Sequence, residues 1–504
     1  MEWLFFNLPI LLSVLPIVIF VFFLIFWKIS LLKSSLAVLA IFSILAIFYW
    51  QISPSAFMIS CEKGFFVAFD IFIIIFGAIF FLKILENFQV INNVSYYLEH
   101  LSRDYRVQII ILAWFFENFI EGTAGFGTPV AVVAPLLVGL GLPPIKALVV
   151  SLLGNSASVV FGAAGTPIRT GFAGLNVSGV SSLSALINCV GFIVPIFMLW
   201  IITNGRSNRR EEFFEALPFA IFSGIVFVVP SWLISFFGSE LPSIVGSFLG
   251  LLLAIVAIKV KILIPQKALS LERGESLKRT MSGTKAFLPY GLLIILLIAG
   301  KFILGESGIK VLSLSGQIFK LFNPGFAFIL AGLFLVFFWT SKGKNKNFPI
   351  KTAFQGSFLP MMVILSMSIF VQLMIMSGQN ESGIPAAVFL LAQIFETNLL
   401  PFFAPFIGAF GSFLTGSATI SNIMFGNFFV LAATNLSLST RLVLSLAVVG
   451  SSAGNMIALA DMLSGEAIVG VKNKELEIAR GVIIPCLTYL LLVGGLGMFL
   501  VEII

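Results

Sequence analysis

Four carboxylates of this 504-residue chain stand inside or at the edge of long apolar runs: Asp70, Glu117, Glu121 and Asp461. A charge there is costly and usually functional. Glu121 opens the string Glu121-Gly122-Thr123-Ala124-Gly125-Phe126-Gly127. Glu117 lies four residues earlier, so on the same face of a helix. A low-dielectric setting favours the neutral carboxyl, which suits such a group to carrying a proton. Glu121 is the first candidate for proton coupling, with Asp70 and Glu117 behind it. Three of the four also have a structural reading: a cap of the glycine string for Glu121, a buried pair for Asp70, a membrane-surface position for Asp461. Other chemistry is poorly supplied. The single histidine, His100, sits in a polar stretch beside Glu99 and Arg103, and Cys61, Cys189 and Cys486 are scattered without metal-ligand spacing. Haem, zinc and nucleophilic cysteine chemistry are therefore not expected. The string 122–127 resembles a phosphate loop but has neither a lysine nor a preceding strand. No catalytic residue, metal or cofactor is expected, and an enzyme would need a cluster that the spans do not show.

Composition dictates the elements that must position these groups. The chain is 59% hydrophobic and 10% charged, with a mean hydropathy of +1.12. A soluble protein carries roughly 25% charged residues, so a soluble enzyme is excluded and the chain must face lipid. Apolar runs between polar breaks give twelve expected membrane helices: 8–27, 34–50, 64–82, 144–164, 182–203, 216–237, 240–264, 286–304, 325–340, 354–378, 440–460 and 480–502. The first run has no basic residue before it and no small-residue cleavage site after it, so it reads as a span and not a leader. Two further regions, 105–139 and 399–434, are too long for one crossing of the bilayer core. Each is broken in its middle, at Glu121–Gly127 and at Leu414-Thr415-Gly416-Ser417-Ala418-Thr419. Both read as re-entrant hairpins, since broken backbone inside a membrane survives only against protein or a watery cavity.

Charge tests this topology. If the hairpins do not change sides, 23 of the 29 Lys and Arg residues fall on one side. Lys63, Arg169, Lys301, Lys310, Lys320 and Arg441 fall on the other. The basic side is cytoplasmic, which places both termini outside and lets the two hairpins enter from opposite faces. The formal charge of +7 then reports topology and not a nucleic-acid partner. Arg169 is either a plain surface arginine or a group that attracts an incoming anion.

Residues 115–158 resemble residues 409–454. Glu121-Gly122-Thr123-Ala124 aligns with Thr415-Gly416-Ser417-Ala418, and Gly154-Asn155-Ser156-Ala157 with Gly450-Ser451-Ser452-Ala453. Because the two copies have opposite assigned orientations, they read as the inverted repeats with broken helices of a secondary transporter, with the site between them. Tight helix packing by Gly and Ser is the alternative. The expected division is an N-terminal half 1–264, a solvated cytoplasmic linker 265–285 with Lys267, Glu272, Arg273, Glu275, Lys278 and Arg279, and a C-terminal half 286–504. The fold class is all-α and polytopic. Half-helix N-termini near Gly125 and Ser417 would supply positive ends for an anion. The expected substrate-binding set is Gly122, Thr123, Gly125, Asn155, Ser156, Thr415, Gly416, Ser417, Ser421, Asn422, Ser451 and Asn455, with Ser158 and Thr419 nearby. It suits a small anion bearing a hydroxyl. Any single Ser or Thr has the alternative of bonding its own helix.

The run Glu121-Gly122-Thr123-Ala124-Gly125-Phe126-Gly127-Thr128-Pro129-Val130-Ala131 resembles the E-G-x-A-G-F-G-x-P signature of the L-lactate permease family. Leu136-Leu137-Val138-Gly139-Leu140-Gly141, Asn155 with Ala157, Phe161-Gly162-Ala163 and Gly165-x-Pro167 resemble the family's next block, and Leu414-Thr415-Gly416-Ser417 with Ser421-Asn422 resembles its second hairpin. The specific likeness covers about 110–170 and 405–460. It implies uptake of lactate, D-lactate or glycolate by proton symport across a bacterial inner membrane, and its wider superfamily implies an elevator mechanism, often in homodimers. There are departures. Ala418 stands where an acidic residue often succeeds Thr-Gly-Ser, Asn455-Met456-Ile457-Ala458-Leu459 stands for Lys-Met-Ile-Ser-Pro, Glu117-Asn118 replaces small residues, and the chain is shorter around 305–325. They leave a sodium-coupled carrier of another organic anion, or an ion exchanger, as the alternative.

Overall fold

A computed structural model describes residues 2–125, 127–271, 279–305, 307–311, 314, 316–339 and 348–503. Phe126 of the first signature, linker residues Glu272, Arg273, Glu275 and Lys278, and the basic residues Lys342, Lys344 and Lys346 lie outside the described residues. The chain is built of helices, ten of them long and apolar enough to cross a membrane among the described residues. Two of the twelve expected spans fall short for physical reasons. Helix Pro324–Trp339 has only 16 residues. The expected span 144–164 is two helical pieces, Pro144–Asn155 and Val159–Arg169, bent by 55°. The second piece is itself kinked, with Ala163 at φ 42°, Ala164 at φ 52° and Gly165 at φ 80°, a left-handed run that costs energy for the alanines. One departure from an all-helical chain is small. Gly308–Lys310 pairs antiparallel with Ile318–Lys320, in strands too short to leave a sequence period.

Local chemistry sets the helix ends. Ser53 caps Pro54–Asn87, accepting from Ala56 N at 3.2 Å with Pro54 at the first position. Asp104 caps the first hairpin helix, accepting from Arg106 N at 2.9 Å. The hairpin 105–139 is observed as a helical run from Tyr105 to Thr123, with a π-helical turn at Ile111–Phe116, followed by helix Thr128–Gly139. Gly125 (φ 58°) and Gly127 (φ 74°) make the turn between them. The hairpin 399–434 is observed as Leu400–Thr415 and Ala418–Asn435, with Gly416 at φ 67°. Each pair is followed by a broken helix: Pro144–Asn155 with Val159–Arg169 in one copy, and Thr440–Gly454 with Leu459–Val469 in the other.

The helices sort into two bundles, and each draws on both ends of the chain. The first contains Glu2–Ile25, Leu31–Phe48, Pro54–Asn87, Val90–Glu99, Gly283–Leu304, Pro324–Trp339 and Ile350–Met376. Glycines let its backbones touch: a Cβ on Gly77 would lie 2.3 Å from the Gly325 carbonyl oxygen. The second contains the helices from Tyr105 to Val260 and from Leu400 to Val501. Here Gly154 packs on the Ala113 carbonyl, and Gly450 on that of Pro405. Large apolar side chains such as Phe48, Ile303 and Phe338 remain exposed, as a lipid-facing surface requires.

The linker is more than a solvated charge run. Arg106 is fully buried and donates to both Asp104 oxygens (2.7–3.2 Å), to Glu215 (3.1 Å), to the Glu212 carbonyl (2.7 Å) and to the Lys267 carbonyl (3.1 Å). Lys267 N and Leu269 N bond Glu215 and Asp104 in return. The start of the linker is therefore strapped to the base of the first hairpin.

Candidate functional site

The two hairpin breaks and the bend after the first hairpin meet at one small cavity. Its wall holds Glu121, Gly125 and Gly127 from the first break and Gly162, Ala163, Thr166 and Pro167 from the bend. Gly416, Ser417, Ala418 and Thr419 come from the second break, and Asn455 from the turn beyond it. Ser417 caps helix Ala418–Asn435, accepting from Ile420 N at 3.3 Å. The first turn of that helix forms part of the wall, and first-turn N–H groups have no intrahelical acceptor. The cavity thus offers an anion a helix N-terminus.

Glu121 is buried, and its carboxylate is held against glycine on two sides. A Cβ on Gly162 would lie 2.2 Å from Glu121 Oε1, and one on Gly125 at 3.4 Å. Asn155 adjoins this carboxyl, yet both polar atoms of its amide are buried without a partner at hydrogen-bonding geometry. Buried amide atoms are almost always paired, and the Glu121 carboxyl is the group beside this one; Asn155 stands behind the cavity wall, which it does not itself line. The second copy places Asn455 comparably, where its Nδ2 donates to Asp461 Oδ2 at 3.1 Å. Asp461 does not face the membrane surface. It is 8% exposed, its Oδ1 lies 3.1 Å from where a Cβ on Gly127 would sit, and it is within Coulombic reach of Glu121. Two carboxyls therefore flank the glycine turn 125–127.

The other expected site residues are placed differently. Gly122 packs on Ser243 and Ile244. Thr123, Ser156 and Ser451 bond carbonyls three residues back, those of Ile120, Leu153 and Val448. Thr415 and Ser421 bond the Gly411 and Gly408 carbonyls at 2.8 Å, and Asn422 donates to the Pro167 carbonyl at 2.9 Å. These residues tie the hairpins and the bend together behind the wall. Glu117 does not line the cavity. It accepts from Ser151 through Oε1, while Oε2 is buried without a partner. The π-helical turn just before it resets the helix face, a device common at functional sites. Asp70 lies elsewhere, 3.4 Å from Arg169 and accepting from Asn323 Nδ2 at 2.8 Å.

Gly162, Thr166 and Pro167 are site residues outside the expected substrate-binding set. Gly162 and Pro167 fall in the family-like block, and all three lie in the small-residue run Gly162-Ala163-Ala164-Gly165-Thr166-Pro167, which marks a broken helix and not its partner.

Comparison with known proteins adds an independent finding. The model of the L-lactate permease family matches residues 9–304 and 301–504. A protein of Haemophilus influenzae is 30% identical, covering 85% of this chain and 86% of its own length. The L-lactate permease of Escherichia coli K12 is 28% identical over 96% of this chain and 94% of its own, and that of Bacillus subtilis 25% identical over 95% and 94%. Among solved structures, the YdaH transporter of Alcanivorax borkumensis is similar over 90% of this chain and 86% of its own, with 13% identity and a TM-score of 0.40.

Proposed function

The chain belongs to the L-lactate permease family, a family of membrane carriers and not of enzymes, and from that premise we propose that it takes up L-lactate or a close 2-hydroxymonocarboxylate by proton symport. The observation that carries this reading is the shared cavity, in which the buried Glu121 carboxyl faces the start of helix Ala418–Asn435. A substrate carboxylate fits that helix start, with Ser417 and Thr419 beside it. Its 2-hydroxyl fits the Asn455 amide, which lines the same cavity. An ionised Glu121 in so small a cavity would repel the substrate. A proton on Glu121 removes that repulsion, so anion and proton bind together and leave together. D-lactate and glycolate keep the hydroxyl and bind; acetate lacks it and binds less well. Movement of the hairpin-bearing bundle against the other would expose the cavity to each side in turn. The setting is a bacterial inner membrane with both termini outside, in halves 1–264 and 286–504, in a carrier that works as a homodimer.

The test uses purified protein in liposomes holding an internal pH dye. L-lactate, glycolate and acetate are added separately, with and without sodium, against protein-free liposomes that report leak of the neutral acids. The expected result is internal acidification by L-lactate above the leak, independent of sodium and lost in Glu121→Gln. Acidification that persists in the variant would move the proton to another carboxyl. A strict sodium requirement would replace the proton as coupling ion. No protein-dependent signal with any hydroxy acid would refute the assignment.

A further inference from the structure

A second cavity, of about 910 Å3, lies one helical turn from the first. Thr166 and Pro167 line the substrate cavity, and Ile168 and Arg169 line this one. Its basic lining is unusual for its side of the protein. Only six of the 29 Lys and Arg residues fall on the exterior side of the topology. Arg169, Lys301 and Lys320 line the cavity, and Arg441 packs on Gly179 at its rim. Two ion pairs meet here, Arg169 with Asp70 at 3.4 Å and Lys301 with Glu240. Arg169 also donates from Nη2 to the Phe322 carbonyl at 2.9 Å, while its Nη1 is buried with no partner. Both pairs cross between the bundles: Asp70 and Lys301 belong to the first, Arg169 and Glu240 to the second.

We infer that this cavity is an outer binding site for the substrate's carboxylate, entered before the site at the hairpin breaks. The inference rests on the reading of the chain as a carrier of small carboxylates. A carboxylate arriving from outside accepts from the idle Nη1 of Arg169 and takes the place of Asp70 on the guanidinium, a match of planar groups. Asp70 stays held by Asn323 Nδ2. Losing Arg169 frees one of the two ionic ties between the bundles among the described residues, so occupation of the outer site loosens the contact that must slide during transport. Asp70 then acts as a competitor for Arg169 and not as the proton carrier.

The experiment measures uptake of labelled L-lactate by proteoliposomes of wild type, Arg169→Gln, Asp70→Asn and Glu240→Gln, with thermal stability of each. Losing a charged donor raises the uptake KM of Arg169→Gln by about tenfold, with its melting temperature near that of wild type. Removing the competing carboxylate lowers KM in Asp70→Asn. A merely structural role for the pair would move both variants in the same direction. Glu240→Gln, which leaves Lys301 uncompensated in the same cavity, also lowers KM. An unchanged KM in Arg169→Gln, or a higher KM in Asp70→Asn, overturns the outer site while wild-type uptake stands. Absence of uptake by wild type overturns the carrier reading itself, and the outer site with it.

Discussion

Gly162→Ala isolates the position of the Glu121 carboxyl from every other property of the site. Gly162 has φ −61° and ψ 153°, a conformation open to any residue, so the substitution strains no backbone. The new methyl carbon would lie 2.2 Å from Glu121 Oε1 and 3.2 Å from its Cδ. To regain van der Waals contact the carboxyl must retreat by roughly 1 Å, in an interior that does not yield freely. A misplacement of about 1 Å in a working group costs up to about a hundredfold in rate. The expected fall in kcat/KM is therefore roughly ten- to hundredfold, at about 1.4 kcal/mol for each factor of ten. The assay is initial-rate L-lactate uptake in proteoliposomes, with the melting temperature measured on the same preparation. Glu121→Asp in the Gly162→Ala background withdraws the carboxyl by one methylene and restores part of the lost rate. Wild-type kinetics in Gly162→Ala would refute the placement of Glu121 as the working carboxyl. So would failure of the double variant to exceed Gly162→Ala while both keep their fold.

The packing sets three further outcomes. Arg106→Met leaves Asp104 buried without its cation and lowers unfolding stability by about 3–5 kcal/mol; Arg106→Lys fails to restore it, because one ammonium cannot reach the acceptors that the guanidinium fork holds, and thermal unfolding in detergent reads both. Ser151→Ala removes the donor to Glu117 Oε1 and costs about 1–3 kcal/mol, seen as a lower melting temperature with KM for L-lactate unchanged. Gly154→Ala would drive a methyl into the Ala113 carbonyl at 1.7 Å, where backbone and not a flexible side chain must give way, so the folded yield on size-exclusion chromatography collapses.

Much of this architecture is legible in the sequence because dense clusters of glycine with Glu, Ser or Thr are rare inside apolar runs. The breaks at Glu121–Gly127 and Leu414–Thr419 therefore stand out, and both line the cavity. Asn155 and Asn455 are legible as amides in or beside the breaks of the helices that follow the two hairpins. The fate of the hydroxyls is not. Ser156 and Ser451 sit at breaks by sequence, yet each bonds a carbonyl three residues back, a choice made by side-chain rotamer and not by spacing. The left-handed backbone at Ala163 and Ala164 is also hidden, since alanine carries no preference for it. Asp461 reads as a span end in the sequence. Its approach to Gly127 joins residues from opposite halves of the chain, a tertiary fact no local pattern encodes. The same holds for Asp70, whose partner Arg169 is 99 residues away.

The claim that substrate binds between the two hairpin breaks is tested most directly by protection. Ser417→Cys is placed in a chain whose Cys61, Cys189 and Cys486 are replaced by alanine, and the rate of its reaction with a small thiol reagent is followed in proteoliposomes. The account predicts that L-lactate slows the reaction, with half-maximal protection near the uptake KM, and that acetate protects less. Reaction at an unchanged rate with L-lactate many times above KM, in a variant that still transports it, would contradict the site.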